Sequence, residues 1–103
     1  MPKLKVNPEP TFKAQVAIPV KGGDSAEVLF TFKSRTRDEM KEFSESRKDK
    51  TDAETFNEMV VGWDLDDAFN PENVERLLQN YIGAGVACYM VYMDEHYKHK
   101  AGN

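Results

Sequence analysis

His96 and His99 stand three residues apart near the end of the chain, beside Asp94 and Glu95. Side chains three apart on a helix share a face, and that spacing can bring two imidazoles onto one zinc ion. No third ligand follows at a fixed spacing, so the expectation is no metal. A second acidic set, Asp64, Asp66, Asn70, Glu72 and Glu75, falls on five of the ligand positions of a calcium loop. Ala68 occupies another of them, Phe69 replaces the glycine of the turn, and Pro71 opens a helix inside the supposed loop. This set reads as a capped acidic turn. Gly22-Gly23 lacks the Lys-Ser/Thr that completes a phosphate loop. No serine or cysteine carries a nucleophile motif, and no carboxylate pair is given a pocket by the sequence. The chain is therefore expected to have no catalytic residue and no cofactor, and not to be an enzyme.

What remains is association chemistry. Val86, Ala87, Cys88, Tyr89, Met90, Val91, Tyr92 and Met93 form one unbroken apolar run. A helix on a small monomer needs a single apolar stripe, whereas this one is apolar all round. Trp63 follows Gly62 and can turn into the core or toward a partner; the core is favoured. Tyrosine joins an apolar body to a polar tip and gathers at interfaces. For Tyr81, Tyr89, Tyr92 and Tyr97, core and interface stand even. Met40, Met59, Met90 and Met93 could supply adaptable surface, with core filling expected for half of them. The candidate protein-interaction residues are Trp63, Tyr81, Tyr89, Met90, Tyr92 and Met93.

Size and charge narrow the field. With 103 residues the chain is one domain. No apolar run reaches the roughly 18 residues that cross a bilayer, and no signal peptide is expected at the N-terminus. The lone Cys88 fits a reducing compartment and reads as a small buried hydrophobe. The net charge of −4 conceals a division. Residues 1–50 hold eleven Lys/Arg against eight Asp/Glu, and residues 51–103 hold three against ten. A nucleic-acid binder shows a basic stripe, and the second half is the reverse. The split reads first as solubility, and second as association through opposite faces.

The elements that carry these residues follow from pattern. Residues 1–10, with Pro2, Pro8 and Pro10, read as a flexible arm. Residues 11–103 read as one α+β domain, with a hairpin over 11–33 and a helical part over 36–100. Phe12, Ala14, Val16, Ile18 and Val20 alternate with polar neighbours, as do Ala26, Val28, Phe30 and Phe32. The Gly22-Gly23 turn between them makes an antiparallel β-hairpin. About four α-helices follow. Thr36 with Glu39, and Thr51 with Glu54, have capping-box spacing. The second of these helices is expected to run through Val60 until Gly62 stops it. Asn70 caps a third, with Pro71 at its first position. Val74, Leu77, Leu78 and Tyr81 give that helix its stripe, and a last helix runs from about Ala84 to Lys98.

The same residues carry a resemblance. Phe30-Thr31-Phe32-Lys33 leads into Arg37-Asp38-Glu39, then Glu58-Met59-Val60-Val61-Gly62-Trp63 and Phe69-Asn70-Pro71-Glu72-Asn73. Leu77-Leu78-Gln79-Asn80-Tyr81 and a Tyr-rich helix closing on Ala101-Gly102-Asn103 complete the order. Over roughly residues 25–103 this resembles the tail assembly chaperones of long-tailed bacteriophages. The resemblance implies a non-catalytic protein that coats the helical tape-measure protein, keeps it soluble and helps recruit tail-tube protein. Coating a rod needs many copies, which favours a homo-oligomer, as a ring or spiral, self-associating through the last two helices. The expected place is the bacterial host cytoplasm and not the mature virion, with no nucleic acid and no membrane as partners. An ending at Gly102-Asn103 suits the short form of a pair made by frameshifting. Two other readings remain: a prophage or bacterial regulatory module binding nucleic acid through residues 33–50, and a small metal-dependent enzyme using His96 and His99.

Overall fold

The structure, a computed structural model, describes residues 4–98. His99, Lys100 and the Ala101-Gly102-Asn103 ending lie outside the described residues, as do Met1, Pro2 and Lys3.

Strand β1 (Thr11–Ile18) pairs antiparallel with β2 (Ala26–Lys33), from Thr11 opposite Lys33 to Ile18 opposite Ala26. The period-2 pattern fixes this register: Val16 and Ile18 of β1 and Phe30 and Phe32 of β2 all turn to the buried face. Gly22 sits at φ 74°, where a Cβ would be strained, and Gly23 donates its N–H to the Val20 carbonyl at 3.2 Å to close the turn. Pro19 follows the last residue of β1, where its missing N–H breaks no ladder.

Both predicted capping boxes form. Thr36 opens α1 (Arg37–Ser46) and Thr51 opens α2 (Asp52–Met59), each with its Oγ1 accepting from the N–H three residues on. A short 3₁₀ turn, Arg47–Asp49, joins them. Helix α3 (Pro71–Asn80) begins as expected, with Asn70 Oδ1 accepting from Asn73 N–H at 2.8 Å. Helix α4 (Ala84–Tyr97) alone has no side-chain cap among the four α-helices of the described residues.

One expectation fails. Helix α2 does not continue to Gly62: it stops at Met59, and Val60–Trp63 form a third strand, β3, antiparallel to β2. Val60 and Val61 are β-branched, stiff at χ1 and better placed on a pleated surface than in a helix. Thr31 pairs with Gly62 and Phe32 with Val60, Val61 being passed over at a register shift, while the Val60 N–H still donates to the Phe56 carbonyl of α2. Val60 stays buried, as the helical reading also required. The sheet therefore has three strands in the order β1-β2-β3.

The core lies between this sheet and the helices. Phe30 is its centre, 6.1 Å from both Phe32 and Phe56 and 6.5 Å from Trp63 by ring centroid. Met40 and Phe43 come from α1, Phe56 and Met59 from α2, and Val74 from α3. Helix α4 contributes Ala84, Cys88 and Tyr92, four apart and hence on one face. It lies along β1: Tyr92 stacks on Phe12 near the start of the strand, and Gly83 abuts Pro19 at its end.

Candidate protein-interaction surface

With Ala84, Cys88 and Tyr92 buried and Ala87, Tyr89, Val91 and Met93 packed partly against the core, α4 leaves Val86 and Met90 turned to solvent. Val86 is 63% exposed and Met90 65%, and just before the helix Ile82 is 82% exposed. These three are four apart and line one edge of a groove of about 420 Å³. Phe56 and Met59 of α2, Leu78 of α3 and Tyr89 complete its apolar walls. Arg47 forms the rim, its guanidinium 3.9 Å from the Tyr89 ring centroid and donating to the Tyr89 hydroxyl at 3.1 Å. Tyr89 and Met90 also belong to a second hollow of about 440 Å³ that continues along α4 past Met93 to Asp94 and Tyr97. From Val86 to Tyr97 the helix axis advances about 16 Å. The two hollows form one apolar track of the kind that lays an amphipathic helix in a groove.

The sequence candidates divide into three groups. Tyr89, Met90 and Met93 lie on this track. Trp63 and Tyr81 line a separate cleft of about 260 Å³, together with Leu65, Asp67 and Arg76. Trp63 is a junction anchor there: its ring meets Phe69 edge-on at 5.0 Å, and its Nε1–H donates to the Asp67 carbonyl at 2.8 Å. Tyr92 is wholly buried in the core. Met40 and Met59 fill the core, whereas Met90 is exposed. Val86 and Ile82, which sequence reasoning did not single out, are more prominent on the surface than most of the residues it did.

Tyr92 belongs to a polar hub that the sequence did not disclose. Its hydroxyl donates to the Lys33 carbonyl at 2.7 Å and accepts from Arg35 Nη1 at 2.9 Å. Arg35, its side chain 11% exposed, also donates to the Glu58 carbonyl and lies 5.0 Å over the Phe43 ring. The Arg35 backbone N–H donates to His96 Nε2 at 3.1 Å. That bond makes Nε2 the acceptor, so Nδ1 carries the proton and donates to the Tyr92 carbonyl at 2.9 Å. Both ring nitrogens of His96 are thus occupied within the protein. Glu58 in turn pairs with Lys50. The hub stitches the β2–α1 junction to α2 and α4.

Among the described residues no three His, Cys, Asp or Glu side chains gather as metal ligands, and no helix is long and apolar enough to cross a membrane. Burial pushes the Cys88 thiol up to about 12. The same cause raises the Tyr92 phenol, opposed by its bond from Arg35. Four cations of the basic segment 33–50 have partners within the protein. Arg35 is turned inward, Lys50 is tied to Glu58, Arg47 lies on Tyr89 and Arg37 stands 3.6 Å from Asp38.

A family model described as phage tail assembly chaperone matches residues 1–103. No curated protein and no solved structure matches the chain.

Proposed function

The chain belongs to the phage tail assembly chaperone family, and from that premise we propose that it binds the tape-measure protein of a long-tailed bacteriophage through the apolar track of α4. The observation that carries this reading is the exposure of Ile82, Val86 and Met90 beside the groove floored by Phe56 and Leu78. A tape-measure protein is long and helical, and alone it would expose an apolar stripe along its length. One turn after another of such a stripe, at i, i+3 or i+4, and i+7, would seat in the track. Flexible Met90 and Met93 adapt to a changing series of side chains, which suits a chaperone that repeats along a rod.

In this reading many copies coat the rod in the host cytoplasm, help recruit tail-tube subunits and leave before the virion matures. The role is non-catalytic, because holding an apolar helix in solution requires surface and no bond chemistry. Co-expression with the tape-measure protein tests it. That protein should be soluble with the chaperone and insoluble without it. Val86→Asp and Met90→Asp should abolish the rescue while leaving circular dichroism and melting temperature near those of the parent. Equal insolubility with and without the parent chain would sink the proposal. Full rescue by both variants would remove the track from it.

A further inference from the structure

The arm and the first strand each carry something unmatched. Leu4 is 98% exposed and Val6 95%, and they alternate with Lys5 as residues of a strand do. The Lys5–Glu9 ion pair at 2.9 Å lies in water and holds the arm weakly. β1 is an edge strand, with β2 on one side only. Ser34 N–H donates to the Pro10 carbonyl, so in this register the even-numbered residues of β1 turn their backbone groups toward β2. The N–H and C=O groups of Thr11, Lys13, Gln15 and Ala17 therefore point to the open edge. Phe12 and Ala14 remain only half-buried although they face the helical layer. A strand beside β1 would satisfy that edge and cover both.

We propose that this strand is the arm of a second copy: two chains exchange arms about a two-fold axis at Thr11, so that residues 4–18 of each run antiparallel to the same residues of the other. The proposal adds a contact between copies to the many-copy coat of the proposed function and is read out with no client present. Charge selects the register. With Thr11 opposite the partner's Thr11, Glu9 lies opposite the partner's Lys13, the only charged residue of β1. Lys5 lies opposite the partner's Ala17, whose neighbour on β2 is Glu27. A shift of two residues in pairing sum brings Lys5 against the partner's Gln15 and loses the Glu9 pair, and a further such shift sets Lys5 against Lys13. Leu4 and Val6 then fall on the helical face beside the partner's Ile18 and Val16, and Pro8 and Pro10 beside Ala14 and Phe12. Both prolines occupy positions whose N–H would point away from the partner, so neither removes a bond from the new ladder. The bends at Val6, Asn7 and Pro10 straighten on pairing.

Light scattering on the full chain after size exclusion is the test, with twice the 11.8 kDa chain mass expected. Leu4→Asp with Val6→Asp alters only exposed side chains and should give a folded monomer. Glu9→Lys alone, or Lys13→Glu alone, should weaken dimerisation about 10-fold or more, because each sets like charges opposite at two symmetric places. The double reversal in one chain should restore the dimer. A monomeric parent, or an arm variant that keeps the parent's mass, overturns the proposal; so does a double reversal that fails to rescue. A dimer that rescues no client overturns the proposed function alone.

Discussion

Replacing Tyr92 by Phe removes one oxygen from the middle of the molecule and leaves its shape unchanged. That oxygen donates to the Lys33 carbonyl and accepts from Arg35. Without it the part-buried bond to the Lys33 carbonyl is lost, and a guanidinium N–H loses an acceptor. A neutral bond contributes about 1 kcal/mol and one to a charged group about 1.5–3 kcal/mol. Arg35 keeps the Glu58 carbonyl and some contact with water, which lowers the second figure, so the net loss should be about 2–3 kcal/mol. In urea, with a slope of about 1.5 kcal/mol/M, the midpoint should fall by about 1.3–2 M. Tyr89→Phe is the comparison. Its hydroxyl takes one exposed bond from Arg47, and its loss should stay within about 0.5 kcal/mol. If the two variants unfold together, within about 0.5 kcal/mol of the parent, the hub does not hold α4 to the sheet and the reasoning fails.

Alkali should destabilise the protein through Cys88. Its native thiol, at about 12, holds its proton more tightly than an unfolded thiol near 8.5, so the unfolded state ionises first and stability falls as pH rises between those values. By pH 10.5 the loss should be about 2–3 kcal/mol, and Cys88→Ala should show a shallower decline in urea midpoint; identical declines would refute this. The raised Tyr92 phenol adds a loss of the same sign at higher pH. Thr51→Ala removes the acceptor of the Glu54 N–H at the start of α2 and should cost about 1 kcal/mol in urea unfolding, with an unchanged midpoint as the contrary result.

Local signals carried much of the fold. The alternation around Gly22-Gly23 specified the hairpin, and Thr36, Thr51 and Asn70 each announced a helix start by a bond spanning three residues. Strand β3 was hidden because Val60 is buried whether its segment is helical or extended, so burial pattern could not separate the two. Only its pairing with Phe32 decides, and that partner lies far back in the chain. The face of α4 was hidden for a related reason. With apolar residues all round, periodicity cannot distinguish Tyr92 from Tyr89, and the choice rests on Lys33 and Arg35, some 60 positions earlier. Arg35 lies in the 33–50 segment that could be read as a nucleic-acid face, and nothing in its neighbours marks it as turned inward.

The pairing of the first strand with the last helix also orders events during synthesis. The hairpin leaves the ribosome before the helices, and its inner face, Val16, Ile18, Phe30 and Phe32, then has none of them to lie against. Two strands alone are marginal in water. Helices α1 and α2 can begin to shield β2, but the cover of β1 waits until Cys88 and Tyr92 of α4 have been made. The last closure therefore joins segments far apart in the chain, which slows folding relative to a bundle of local contacts. Through that interval the nascent chain exposes apolar surface of its own, and the docking of α4 on β1 is what hides it.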